Sequence, residues 1–271
     1  MSQGKVTYKG AAGGMGFDYD ALVDGNDAIR FWDDFCLETT PHTLAAPSGS
    51  EVQRMDLWNH VQVDANDTFW TRTNAQEAPG GVIKLTTKGG AGDGQLIWPG
   101  FATYAPDSFD VAMECRIRMT DVANSFLFFG LSEIVTTDGL ISTASAFTAA
   151  ANGSDRVGIG FDAATTTGKF DVLSSLGTAG FGGTNVAQSA TEFNAGATGT
   201  LADDEFVRLG VVVRGGISSF YIDGVEVFTS SDASSTSDQP LYPVLLTGAS
   251  AAAAEVFLCD YFGCSAQMNR R

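Results

Sequence analysis

The run Phe109–Met119, FDVAMECRIRM, alternates with a period of two. Val111, Met113, Cys115, Ile117 and Met119 fall on one side; Ala112, Glu114, Arg116 and Arg118 fall on the other. Successive side chains of a strand point to opposite faces, so this spacing predicts a strand with one buried and one wet face. The next run, SFLFFGLSE at 125–133, is apolar on both parities, as a strand covered on both faces would be. A buried helical segment is the alternative, but short length and aromatic content favour the strand. RVGIGFD (156–162) puts Val157, Ile159 and Phe161 on one side, and KFDVL (169–173) follows after TTTG, which predicts a hairpin. FVRLGVVVR (206–214) is a further strand, punctuated by Gly215-Gly216. In SSFYIDGVEVF (218–228) Asp223-Gly224 sits between β-branched and aromatic residues, the signature of a two-residue hairpin turn. EVFLCDYFGC (255–264) reads as the last strand, and 68–73, 82–87 and 96–98 as earlier ones. Residues 27–32 begin a strand or a short helical turn.

No amphipathic helix of ordinary length and no fixed-period repeat breaks this pattern. Ala249–Ala254 has helix propensity but is too short to form a helix unaided. The Ala-, Gly-, Ser- and Thr-rich stretches 136–154 and 174–201 read as long surface loops. Many strands with turns between them predict an all-β fold, a β-sandwich of two packed antiparallel sheets. Residues 1–28 differ: they are glycine-rich and lack a hydrophobic period, which predicts a flexible N-terminal arm. The remainder, 29–271, is expected to be a single domain, as all-β folds of this length commonly are.

Composition narrows the partners. Thirty-two acids against 15 bases give a formal charge of −17, which repels phosphate backbones and argues against nucleic acid. No apolar run of signal-peptide or membrane-spanning length is present, so neither secretion nor a membrane is expected. Charged residues are only 17% of the chain, so the surface leans on small polar residues. Cys36, Cys115, Cys259 and Cys264 form no CxxC pair and read as reduced, mostly buried thiols. Cys259 and Cys264 are five positions apart, so on a regular strand they would face opposite sides.

The search for chemistry returns little. A glycosidase needs two carboxylates across a groove. In β-sandwich glucanases one strand supplies them as E-x-D-x-E, and Glu114, Glu133 and Glu226 do not open that pattern. His42 and His60 are the two histidines, and no G-x-S-x-G elbow accompanies them. The acidic spots Asp33-Asp34, Asp64–Asp67 and Asp203–Glu205 match no EF-hand loop. No phosphate-binding G-x-x-x-x-G-K-[ST] is present. The expectation is no catalytic residue, no cofactor and no metal. Asp260, inside an apolar run, is expected to bond backbone groups or an arginine, because buried charges must be paired. Trp58, Trp70, Trp98, Tyr104 and Tyr242 are candidate sugar-stacking aromatics, with Trp58, Trp98 and Tyr104 foremost and core placement as the competing reading.

The run FVRLGVVVRGGISSFYIDGVEVF, followed by EVFLCDYFGC, resembles the closing strands of concanavalin A-like (laminin-G-like) jelly-roll sandwiches. FDVAMECRIRM with FLFFGLSE resembles the preceding pair. That fold hosts many functions. The opening FWDDF and the small-residue loops resemble virion structural proteins of tailed bacteriophages, often head-decoration proteins. This resemblance implies a non-enzymatic capsid decoration or cement protein, made in the host cytoplasm and carried on the virion surface. Its partner would be the major capsid protein, and it would be a homo-oligomer, with a trimer suiting three-fold positions. The arm would reach the partner through Tyr8, Met15, Phe17 and Tyr19. The alternative is a carbohydrate-binding, lectin-like module or the receptor-binding part of a tail fibre. A glycoside hydrolase or lyase with an unusual site is the third reading.

Overall fold

The computed structural model describes residues 28–33, 53–55, 58–62, 69–73, 82–87, 90, 94–99, 104–133, 155–162, 169–175, 193–194, 203–230 and 239–268. The arm residues Tyr8, Met15, Phe17 and Tyr19, with Cys36, His42 and the stretch 136–154, lie outside them. Among the described residues the strands are β1 (Ala28–Asp33), β2 (Gln53–Met55), β3 (Trp58–Gln62), β4 (Phe69–Thr73), β5 (Val82–Thr86) and β6 (Gly94–Pro99). β7 (Phe109–Met119) leads through a single 3-10 turn, Val122–Asn124, to β8 (Ser125–Ser132). β9 (Arg156–Asp162), β10 (Lys169–Ser175) and β11 (Phe193–Asn194) follow. The chain then forms β12 (Phe206–Arg214), β13 (Ile217–Ile222), β14 (Val225–Ser230), β15 (Tyr242–Ala249) and β16 (Val256–Met268). No helix among the described residues is long and apolar enough to cross a membrane.

Two eight-stranded antiparallel sheets result. The first runs β14-β13-β12-β7-β16-β5-β4, with β1 also on β16. The second runs β11-β10-β9-β8-β15-β6-β3-β2. The fold is the predicted jelly-roll β-sandwich. β16 has 13 residues, long enough to pair with β7 on one side and with both β5 and β1 on the other.

The core lies between the sheets. From the first come Val111, Met113, Cys115, Ile117 and Met119, the predicted buried parity of β7. From the second come Leu127, Phe129, Leu131, Val157, Ile159 and Phe161. Phe262 of β16 is the wedge across the gap: its ring stands edge-on to Trp58 at 5.1 Å and to Phe129 at 5.7 Å. β8 is buried along its whole length, as its two-sided apolar pattern requires.

One irregularity sets the geometry of β16. Cys259 pairs with Ile117, but Tyr261, two residues on, pairs with Arg116. Asp260 is the extra residue of a β-bulge. Before it the odd positions Phe257 and Cys259 point into the core; after it the even positions Phe262, Cys264 and Ala266 do. Cys259 and Cys264 therefore share the core face, contrary to the sequence expectation, because the bulge shifts the parity by one.

The tight turns follow their residues. Gly215 and Gly216 have φ of 60° and 83°, and Asp223 and Gly224 have φ of 50° and 82°. Both pairs occupy the left-handed region at both central positions, the type I′ turn that matches strand twist. The Asp223 carboxylate accepts the Arg208 N–H at 2.9 Å, which ties the β13–β14 hairpin to β12. β15 was not foreseen: it is buried on both faces and carries Pro243, so no alternation marks it. Pro243 is tolerated because β6 pairs only with Leu245–Gly248, leaving no ladder bond on that side for it to miss. Phe193 and Asn194, read as loop, form a short strand on β10. The alanines at 249–254 form no helix.

Phe262→Ala is expected to cost about 3–5 kcal/mol, because the cavity opens between both sheets. Val225→Ala, on a residue 64% exposed, should change stability by no more than about 0.5 kcal/mol. Equilibrium urea denaturation of the two variants measures both.

Candidate functional site

The foremost candidate sugar-stacking aromatics do not form a surface. Trp58, Trp98 and Tyr104 are buried. Trp58 and Tyr104 belong to the inter-sheet core, and Trp98 packs with Leu96, Phe126, Phe128, Val244 and Leu246 on the opposite side of the second sheet. Glycines make that packing possible. A Cβ at Gly248 would overlap the Phe126 ring, and one at Gly158 would come within 2.6 Å of the Phe128 ring. The rings thus lie down on bare backbone and are themselves buried. Large rings stay in the core here because burial outweighs display.

The other candidates are also structural. His60 Nε2 lies 3.2 Å from Gln95 Oε1 between the sheets, and burial holds the imidazole at a pKa of about 4. Burial raises the Cys115 thiol and pushes Cys264 up to about 12, so neither supplies a thiolate at neutral pH. Asp203 Oδ1 accepts the Val122 N–H at 2.7 Å and Asp121 Oδ1 the Ala123 N–H at 2.8 Å, so both cap the 3-10 turn. Burial, with Asp121 and Asp203 nearby, pushes Glu255 up to about 7. No group of three or more His, Cys, Asp or Glu among the described residues is arranged to hold a metal ion.

The outer face of the first sheet is different. The wet parity of β7 supplies Glu114, Arg116 and Arg118, and Arg208 stands across from Arg116 on β12. The bulge of β16 turns two consecutive residues toward this side. Asp260 forms an ion pair with Arg116 at 2.6 Å, as its place in an apolar run led one to expect. Tyr261 donates its hydroxyl to Glu114 Oε1. Gly210 and Gly263 are the register partners of Glu114 on either side, so neither neighbouring strand raises a side chain beside it. Tyr221 continues the same cross-strand row and donates to Glu226 at 3.0 Å. The Arg116 and Arg118 guanidiniums lie 4.4 and 5.4 Å from the centre of the Phe206 ring.

This strip is half-buried: the Arg116 side chain is 37% exposed and that of Asp260 13%. Burial raises the Glu114 carboxyl above its ordinary range, while the Tyr261 hydrogen bond and Arg208 pull it back down. Burial also raises the Tyr261 phenol, and Glu114 reinforces that shift. The strip therefore holds carboxyl, guanidinium and phenol groups fixed by one another beside partly exposed rings. Sequence alternation exposed Glu114, Arg116 and Arg118 as a wet face. Tyr261 was not legible, because only the bulge brings it to that side.

No protein-family profile matches the chain, and no curated protein matches it in sequence. Solved structures share the fold. The potassium-bound carbohydrate recognition domain of Emp46p matches with a TM-score of 0.50 and 11% identity, covering 86% of this chain and 98% of that one. A glycoside hydrolase family 16 endo-glucanase from Bacteroides ovatus matches with a TM-score of 0.51 and 12% identity, covering 86% and 99%. The likeness is one of fold, a concanavalin A-like jelly roll. It corrects the expectation that the chain is not an enzyme: a glycoside hydrolase shares this sandwich.

His60, between the sheets, gives the fold a measurable pH dependence. Its folded pKa of about 4 lies below the ordinary 6.5, so the unfolded chain takes up the proton first. Its contribution to stability is complete above pH 6.5 and is lost as pH falls toward 4, by about 3 kcal/mol. Urea denaturation at several pH values should show a shallower slope in His60→Gln than in the wild type; equal slopes would remove His60 from the account.

Proposed function

We propose that the chain is a carbohydrate-recognition sandwich that meets its saccharide on the outer face of the first sheet, around Glu114, Arg116, Arg208, Tyr221 and Tyr261. The observation that carries this reading is the coupling of planar hydrogen-bonding groups to partly exposed rings on one strip. A pyranose presents hydroxyls at its rim and C–H groups on its faces. Carboxylate and guanidinium groups suit pairs of hydroxyls, and aromatic rings suit the C–H face. The shared fold with a carbohydrate recognition domain and an endo-glucanase supports the reading. The capsid reading, with its virion location, capsid partner and oligomer, gains no support from the described residues or from these neighbours, and is set aside.

Calorimetric titration with soluble β-glucans, mannans and polyuronates tests the proposal. At least one should bind, and Tyr221→Ala should weaken it about tenfold, the equivalent of about 1.4 kcal/mol, without lowering the melting temperature. Silence across all three classes, or binding untouched by both Tyr221→Ala and Arg116→Ala, would sink it.

A further inference from the structure

We infer that Glu255, Asp121 and Asp203 form a proton-operated latch at one end of the sandwich: a proton on Glu255 closes the row of three carboxyls over the 3-10 turn, and its loss lets that turn open; this goes beyond the carbohydrate reading and needs no ligand. The row is set by register. Phe257 of β16 stands opposite Met119 of β7, and the Thr120 N–H donates to Val256 O at 3.0 Å. One step further along, Glu255 falls opposite Asp121. Two acids directly opposite each other destabilise a sheet when both are charged. Asp203 enters from the other side of β7: its Oδ1 accepts the Val122 N–H at 2.7 Å, and the next residue, Asp204, donates its N–H to Met119 O at 2.9 Å. Asp121 Oδ1 and Oδ2 accept from the Ala123 N–H and the Asn124 amide, both at 2.8 Å, so both aspartates hold the turn itself.

Glu255 is the unpartnered member. It continues the parity of Phe257 and Cys259, which face the core, and it is 2% exposed. Thr87 engages its backbone on both sides: the Thr87 N–H donates to Glu255 O at 2.9 Å, and the Glu255 N–H donates to Thr87 Oγ1 at 2.8 Å. Its carboxyl has no hydrogen-bond or ion-pair partner among the described residues. A charged carboxylate so placed is costly, whereas a protonated one has a hydroxyl to donate to the neighbouring acids. Burial, with Asp121 and Asp203 beside it, accordingly pushes the carboxyl up to about 7. These two aspartates are the charged groups that face it. Asp204 pairs instead with Arg118 at 3.9 Å, Glu205 is exposed, Lys84 of β5 stands opposite Leu258 further along β16, and Ser250–Ala254 bring no charge. Arg118 and Phe206, 5.4 Å apart, lie next to the latch on β7 and β12. Opening the turn therefore loosens that end of the outer strip as pH rises.

Hydrogen exchange of the full chain tests this, followed by NMR at the Val122, Ala123 and Phe206 amides across about pH 5–9 and corrected for intrinsic exchange. Because the folded value lies above the ordinary 4.5, the contribution of Glu255 is complete at low pH and is lost as pH rises through about 7. His60 acts in the opposite sense and below pH 6.5, so the range above that isolates Glu255. Protection of the turn in wild type should fall above neutrality by up to about tenfold per pH unit. Glu255→Gln should keep it flat and should melt above wild type at pH 8 but not at pH 5; a merely structural Glu255 would give a variant less stable at both. Should Glu255→Gln fail to fold, the Glu255 carboxyl carbon of wild type, titrated by NMR, decides alone: a midpoint near 7 supports the latch and one near 4.5 overturns it. Flat protection in wild type overturns it too. Millimolar calcium that restores protection at pH 8 would make the row a cation site and overturn the proton latch.

Discussion

The fold depends on keeping one face of β16 in the core over 13 residues while that strand holds three neighbours. A regular strand of this sequence would carry Phe257, Cys259, Tyr261 and Gly263 on one side and Leu258, Asp260, Phe262 and Cys264 on the other. The first set would put a phenol in the core. The second would put a charged carboxyl there, at a cost of several kcal/mol if unpaired. The bulge resolves the conflict by exchanging parities at Asp260. Phe262 then reaches Trp58 and Phe129, and both polar residues leave the core together.

The two outer faces of the sandwich take opposite courses from similar beginnings. On the second sheet, glycines on β8, β9 and β15 receive rings from the same sheet, and the face closes over itself. On the first sheet, Gly210 and Gly263 flank Glu114, whose carboxyl is held by Tyr261. Missing Cβ atoms act as sockets for apolar rings in one case and flank a hydrogen-bonded carboxyl in the other. What decides between them is whether the neighbouring side chain is an apolar ring, which gains by lying flat, or a charged group tied to a partner.

Much of the architecture was legible because it rests on local rules. The alternation of Phe109–Met119, the two-sided apolar run at 125–132 and the Asp223-Gly224 turn each announce their geometry over a few residues. β15 was hidden because burial on both faces erases the alternation that marks a strand, and Pro243 reads as a breaker when its unpaired side cannot be seen. The site was half legible. The wet face of β7 named Glu114 and Arg116, but their partners come from about 145 residues further along the chain, as the separations of 147 and 144 show. Register between distant strands is a property of the whole sheet, and a bulge within one of them cannot be read from period-two alternation.

Glu114 is a residue that the fold alone does not account for. Its burial raises the energy of the ionised carboxylate, and neither Tyr261 nor Arg208 fully offsets that. An apolar side chain at position 114, between two glycines, would remove the penalty and cover backbone. Asp260 is different, since the bulge that exposes it also directs Phe262 inward, and its pairing with Arg116 is a sufficient structural reason for its charge. In a chain whose turns, core parities and capping residues all agree with its fold, a local conflict of this kind marks the place where function constrains the sequence. The strip's character follows: Glu114 is held by the Tyr261 hydroxyl and Arg116 by Asp260, and the same bulge that completes the core brings both of those β16 residues to this face.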